Sequence, residues 1–239
     1  MLKDFVKKIR DENKALFEAS KMNVKEYFEG NLPEEEMVDH FIGRMVNERM
    51  NMTEISKQVS QVEDNANPKE LELLTRQAAD EAKHYRMVKE VIEHITGGEI
   101  DVAEALRKER EMNTAKGATL LEKYDAEDDE AVLAAYQLVA EGRAEAVWNQ
   151  MADTIQDEFI STRYREIAKD EGFHSAIGGW KLRQLATDKD TQSRVQKVIE
   201  GMKFSVEYNR LRDSTYLEIL ATYPEAAPSR TKNSPQTGK

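Results

Sequence analysis

Apolar residues recur at alternating steps of three and four along several stretches of the chain, which is the spacing of one face of an α-helix. Two of these stretches begin after Pro33 and Pro68, where a proline suits the first turn of a helix. No proline occurs between Pro68 and Pro224. The pattern predicts an all-α protein whose core helices cover about 33–62, 68–96, 129–156 and 158–184.

Each of these apolar faces also contains glutamate. Glu48 lies on the first face, Glu81 on the second and Glu171 on the fourth, whereas the third carries both Glu141 and Glu145. A buried carboxylate is costly unless it takes up a proton or lies beside a cation. One such carboxylate from each of the four helices makes four negative charges, which two divalent metal ions would neutralise. The alternative is a helical bundle whose acids pair with nearby lysine and arginine.

A short motif occurs on both the second and the fourth predicted helix. Asp80–His84 reads DEAKH, and Asp170–His174 reads DEGFH. A glutamate and a histidine three residues apart share one helix face, so each copy offers an oxygen and a nitrogen to the same point. The two copies predict a site for two metal ions.

The third helix offers two candidate ligands. If this helix ends near Ile155, Glu141 lies at the same depth as Glu171 in the following helix, so Glu141 is the predicted ligand. Glu145 lies one turn further along. It is an additional ligand, an acid hydrogen-bonded to the ligands, or a residue whose depth is misassigned because the predicted end of the helix is displaced.

The order of these acids and histidines resembles the ferritin-like di-iron carboxylate superfamily, in which Glu on one helix and Glu-x-x-His on the next are repeated. The resemblance covers about 33–185. It implies a ferritin-like four-helix bundle with a long crossover, here the link after Gly97-Gly98, and bridging roles for Glu81 and Glu171. The implied metal ligands are Glu48, Glu81, His84, Glu141, Glu171 and His174. No catalytic residue is predicted beyond these ligands.

The aspartate before each motif glutamate resembles the oxygenase branch of this superfamily, where such an aspartate hydrogen-bonds a histidine ligand and fixes its ring. Asp80 and Asp170 would have this role. The residues before the two histidines are Lys83 and Phe173. They depart from the arginine often found in bacterial multicomponent monooxygenases, so the motifs identify no closer family.

Composition excludes several other kinds of site. The 239 residues include no cysteine, which rules out thiolate-bound zinc, cysteine-bound iron–sulfur clusters and a thiol nucleophile. The net charge of −11 argues against nucleic acid or an anionic membrane as a partner. The N-terminus lacks an apolar signal core, and no apolar stretch is long enough to span a bilayer. A cytoplasmic protein is therefore expected.

Mixed oxygen and nitrogen ligands suit iron or manganese, and open coordination positions would bind O2. The predicted function is a non-haem di-iron oxidoreductase, an oxygenase or oxidase that acts on a small organic substrate with O2 as co-substrate. A mixed manganese–iron pair is the alternative metal content. The alternative functions are a ferroxidase or peroxidase of the ferritin or rubrerythrin kind, and a helical interaction bundle with a vestigial metal site.

The remaining segments predict supporting structure. Accessory helices are expected over 2–28, 102–122 and 191–221, the last covering the bundle or forming a homodimer contact. Residues 1–223 are predicted to be one domain and 224–239 a disordered tail. Electrons would come from another protein, a small reductant or the substrate.

Two further residue sets are left without an assigned role. Small residues near Glu141, namely Ala140, Gly142 and Ala144, either open room for substrate or allow close helix packing. Aromatic residues at helical spacing are more often part of a core than of a redox site. No functional role is therefore assigned to Tyr85, Tyr136, Trp148 or Tyr164.

Overall fold

The computed structural model describes residues 2–30, 32–62, 67–112 and 129–202, and almost all of these residues are helical. No strand occurs within these ranges, so the prediction of an all-α protein is confirmed. The helices are α1 (Leu2–Glu12), α2 (Lys14–Glu29), α3 (Glu34–Gln61), α4 (Pro68–Thr96), α5 (Val102–Met112), α6 (Glu130–Thr154), α7 (Glu158–Leu185) and α8 (Lys189–Met202).

The predicted core helices correspond to α3, α4, α6 and α7. The single accessory helix predicted over 2–28 was wrong in one respect, because it divides at Asn13, whose side-chain amide donates to the carbonyl oxygen of Ile9. α5 and α8 begin within the predicted segments 102–122 and close to 191–221. Their predicted continuations, like the tail 224–239 and the end of the 1–223 domain, lie outside the described residues.

Specific residues set the ends of the core helices. The side chain of Asn67 accepts a hydrogen bond at the start of α4, where Pro68 occupies the first turn, and Gly97 ends this helix at a positive φ of 66°. Asp129 and Asp157 cap α6 and α7 in the same way as Asn67 caps α4. Short polar caps therefore fix where α4, α6 and α7 begin, whereas α3 begins after Pro33 without a side-chain cap.

The helix α7 runs antiparallel to both α4 and α6. On α4, Glu70 pairs with Lys181 and Glu90 with Arg163, at distances of 2.5 and 2.9 Å. Earlier positions of α4 thus meet later positions of α7. On α6, the carbonyl oxygen of Leu138 accepts a hydrogen bond of 2.9 Å from Ser175, whereas the later residue Glu145 lies against the earlier Gly172.

Two clusters of buried apolar side chains occupy the two ends of the core. One contains Ile55 and Leu138 together with residues of α1 and α8, and the other contains Phe41, Trp148 and Tyr164. On each core helix, the predicted ligand glutamate lies between the segments that enter the two clusters. A polar layer therefore separates two apolar regions.

The buried face of α4 starts later than its periodicity indicated. The spacing of apolar residues in the sequence predicts that Leu71 and Leu74 both lie on this face, but Leu71 is 42% exposed, whereas Leu74, one turn further along, is buried. Periodicity identifies which face of a helix is apolar, but it does not show how far the neighbouring helices cover that face. None of the helices within the described ranges has the length and apolar character needed to cross a membrane.

Gly178 allows α6 and α7 to approach closely. A Cβ atom at this position would lie 2.6 Å from the backbone nitrogen of Leu138 and 2.8 Å from the carbonyl oxygen of Ala134. Because backbone atoms cannot move aside, we expect Gly178→Ala to lower the free energy of unfolding by about 1–3 kcal/mol, measured by urea titration.

The matched control is Gly98→Ala, because no heavy atom lies within 4 Å of a Cβ atom built at that exposed position. This control should unfold at nearly the wild-type urea concentration. Equal stability of the two variants would contradict the close helix approach.

Candidate metal centre

The side chains predicted as metal ligands form two adjoining groups in the middle of the core. Within each group, one ligand atom per residue lies within 4.8 Å of the others. The first group consists of Glu81, Glu141, Glu171 and His174, and the second of Glu48, His84 and Glu171. Glu171 belongs to both groups and is therefore placed to bridge two ions. Glu81 belongs only to the first, so its bridging role stays a prediction.

The ligand atoms of these groups fit a cation better than they fit one another. All six side chains except the partly exposed Glu141 are buried. Among the described residues, Glu48 Oε2, both carboxylate oxygens of Glu81 and His84 Nδ1 have no hydrogen-bond partner. Unpaired buried polar atoms destabilise a fold. The donor set of carboxylate oxygens and imidazole nitrogens suits iron or manganese.

Each histidine contacts the aspartate of the opposite motif. His84 Nε2 lies 3.3 Å from Asp170 Oδ2, and His174 Nε2 lies 3.4 Å from Asp80 Oδ2. An aspartate at Nε2 holds the proton on that nitrogen, so the lone pair of Nδ1 is free to bind a metal. Nδ1 of His174 lies 3.1 Å from Glu171 Oε2, on the side of the ligand groups.

Lys83 connects the two aspartates, a role that the sequence analysis missed. Its ammonium pairs with Asp170 and lies 3.6 Å from Asp80 Oδ1 and 3.5 Å from Glu166 Oε1. Burial would raise the pKa of Asp80 and Asp170, but their histidines and Lys83 outweigh it and hold both pKa values below the ordinary range. Both aspartates therefore stay ionised and able to accept a histidine proton.

The second departure from the family pattern, Phe173, leads to the same aspartate. The guanidinium of Arg76 lies 3.7 Å from the centroid of the Phe173 ring, and Arg76 Nε lies 3.6 Å from Asp80 Oδ2. Arginine over an aromatic ring is an attractive arrangement. Phe173, on α7, thus helps to hold the guanidinium of Arg76 beside Asp80, where the ammonium of Lys83 also lies.

Burial and close contact with one another shift the pKa values of several ligand side chains strongly from their ordinary values. Burial would raise the pKa of Glu48, but His84 and Arg44 outweigh it and lower it to about 2. Burial and two neighbouring glutamates raise the pKa of Glu81 to about 7. Burial opposes the charged form of His84, yet its acidic neighbours raise its pKa to about 11. Because a ligating imidazole is neutral, a bound metal ion would displace protons from this cluster.

Two buried glutamines, also missed in the sequence, position Glu141. Gln137 Nε2 donates to Gln77 Oε1 at 3.0 Å, and Gln77 Nε2 donates to Glu141 Oε1 at 3.3 Å. Both glutamines lie one helical turn before a predicted ligand, Gln77 before Glu81 and Gln137 before Glu141. An amide on the apolar face at that spacing was the available signal. Burial and neighbouring carboxylates raise the pKa of Glu141 well above its ordinary value.

Glu145 lies outside both ligand groups. It is exposed, and its carboxylate packs on Gly172, where an added Cβ atom would be 2.8 Å from Glu145 Oε1. The small residue Gly142 serves close packing, since a Cβ atom there would lie 3.1 Å from Ser175 Oγ and 3.4 Å from the Phe17 ring. Of the two candidate ligands on α6, Glu141 and Glu145, only Glu141 reaches the other ligands.

No family model, no curated protein and no solved structure matches the chain. The likeness to a known superfamily therefore stays an interpretation of the motifs and of the side-chain arrangement.

Removing Glu141 or Glu145 from α6 tests which of the two binds metal. We expect Glu141→Ala to lose one of the two ions or to weaken metal affinity by about 10-fold or more, because it removes a ligand atom from the first group. Glu145→Ala is the matched control, one turn away on the same helix, and should keep wild-type stoichiometry in anaerobic equilibrium dialysis. Loss of metal in Glu145→Ala alone would show that the assignment is reversed.

Lys83 should influence metal binding without touching the metal. We expect Lys83→Met to weaken metal affinity by about 10-fold. Both aspartates would lose a cation that helps to lower their pKa values, and so would orient the two histidines less well. Lys83→Arg should retain most of the affinity, since it keeps the charge. Lys89→Met, which removes a lysine paired with Glu93 elsewhere on α4, is the control and should bind metal normally. Normal binding by Lys83→Met would remove this role.

Proposed function

We propose that the protein is a non-haem di-iron oxidoreductase with a ferritin-like arrangement of its core helices. It would use O2 to oxidise a small organic substrate, as an oxygenase or an oxidase. The observation that carries this proposal is the pair of ligand groups that share Glu171, in which each histidine is held by the aspartate of the opposite motif. Redox-active metals held by four carboxylates and two imidazoles suit O2 chemistry.

The residues that would hold the ions divide between the two groups. Glu48 and His84 would bind one ion, Glu141 and His174 the other, and Glu171 would lie between them with Glu81 beside it. Two ferrous ions bound there would supply electrons to O2 and so the oxidising power for the substrate. The chain itself holds the ligands in place, neutralises their charge and keeps bulk water out.

Exclusion of water favours an oxygenase over iron storage. Five of the six proposed ligands are buried, and α1 and α2 pack on the core helices that carry them. Glu141 is the one ligand with partial exposure, so access to the metals would pass beside α6. A ferroxidase has to admit and release iron repeatedly, which a covered site with a single partly exposed ligand supports poorly.

The test is anaerobic loading with ferrous iron, metal counting, and rapid mixing with O2 while absorbance is followed. We expect about two irons per chain and a transient absorbance change that requires O2. Both should be lost or strongly reduced in Glu171→Ala, because this variant removes the carboxylate shared by the two groups. A substrate would be recognised by its ability to speed the decay of the transient.

The matched control is Glu158→Ala, which removes an exposed acid from the first turn of the same helix. It should load iron and react with O2 like the wild type. Rapid peroxide turnover without any organic substrate would favour a peroxidase instead. Absence of stoichiometric metal in the wild type would leave a helical bundle with a vestigial site.

A further inference from the structure

Three buried hydrogen-bond donors near Glu48 have no partner among the described residues. They are Nε of Arg44, Nε1 of Trp148 and the hydroxyl of Tyr164. The side chains of Trp148 and Tyr164 are only 5% and 1% exposed. None of the three belongs to the proposed ligand groups. Because an unpaired buried donor costs stability, three of them in one region indicate a polar ligand.

The three side chains are direct neighbours. Arg44 Cζ lies 4.1 Å from the centroid of the Trp148 ring, and the ring centroids of Trp148 and Tyr164 are 5.7 Å apart. Arg44 also donates from Nη2 to Glu48 Oε1 at 2.9 Å. The three side chains therefore come from α3, α6 and α7 and lie next to one another beside one of the proposed ligands.

Their distance from the metal ligands follows from helix geometry. Trp148 lies two turns after Glu141 on α6, and Tyr164 lies two turns before Glu171 on α7. Since α6 and α7 are antiparallel, both displacements point toward the same end of the core. Two turns correspond to about 10 Å along the helix axis. Trp148 and Tyr164 thus lie clear of the metal ligands, whereas Arg44 contacts Glu48 directly.

The chemistry of the donors selects an anion. Arginine and the indole nitrogen can only donate hydrogen bonds, and Arg44 retains further N–H groups besides the one that contacts Glu48. A guanidinium recognises a carboxylate in particular, through charge and paired hydrogen bonds. The side chain of Met45, less than one turn before Glu48 on α3, is fully buried and apolar, so it suits the hydrocarbon part of the same ligand.

We propose that Arg44, Trp148 and Tyr164 bind the carboxylate of a small monocarboxylic acid whose apolar part extends toward the metal-ligand groups. That this acid is the molecule oxidised rests on the proposed function. The binding of the carboxylate does not, because its donors are groups of the protein. Arg44 contacts Glu48 through Nη2, whereas its unpaired Nε is left to donate to the acid.

The test uses octanoate as probe and isothermal titration calorimetry on the full chain, both metal-free and loaded with zinc, which is redox-inert. We expect octanoate to bind both forms and octanamide, which lacks the charge, to bind at least about 10-fold more weakly. Tyr164→Phe removes one oxygen atom and should weaken octanoate binding about 10-fold. Thermal melting and zinc content should match the wild type.

The controls are conservative changes at the same residue types elsewhere. Tyr136→Phe alters a buried tyrosine of the other apolar cluster, and Trp180→Phe is the counterpart of Trp148→Phe on α7. Both controls should bind octanoate like the wild type, whereas Trp148→Phe should bind it weakly.

The outcomes separate this inference from the proposed function. Octanoate binding that depends on Tyr164 and Trp148 supports the carboxylate site even if zinc does not bind. Zinc binding without octanoate binding, or octanoate binding that ignores both variants, overturns the carboxylate site and leaves the metal centre intact. Equal affinity for octanoate and octanamide also overturns it.

Discussion

Carboxylates in the middle of a helical core need opposite charge close by, and this requirement organises the protein. Glu48, Glu81 and Glu171 are buried where the periodicity of their helices calls for apolar residues. Burial, together with repulsion from Glu48 and Glu171, raises the pKa of Glu81. A charge-compensated polar layer can be maintained in this position only if the helices around it are held rigidly. The apolar clusters on both sides of the layer supply that rigidity.

The groups around the ligands link the two motif helices. Because each aspartate contacts the histidine of the other motif, neither histidine is oriented by its own helix alone. Lys83 then ties both aspartates together from α4. The antiparallel register of α4 and α7, fixed further out by the ion pairs of Glu70 and Glu90, is thus a condition for orienting both imidazoles. Packing and site geometry depend on the same interface.

The two ends of the core differ in what they bury. At one end Gly178 brings α6 and α7 into backbone contact, and the surroundings are apolar. At the other end the buried Nε of Arg44, the indole N–H of Trp148 and the hydroxyl of Tyr164 have no hydrogen-bond partner among the described residues. Unpaired donors of this kind weaken a core, so we attribute this group of three neighbouring donors to ligand recognition rather than to stability. The proposed carboxylate site thus lies toward one end of the core, and the proposed metal ligands lie in its middle.

Helix class, the core-helix limits and the six candidate ligands followed from the sequence alone, because periodicity and the Glu-x-x-His spacing are local properties of a helix. Two local predictions were wrong, because the sequence pattern did not show the helix break at Asn13 or the exposure of Leu71. Neighbouring helices decide where a helix divides and which part of it is covered. Only the tertiary structure placed Glu145 outside the ligand groups and revealed Lys83, Gln77 and the donors around Trp148. These roles depend on which residues of distant helices face each other, and register between helices is set by side-chain packing that no single helix encodes.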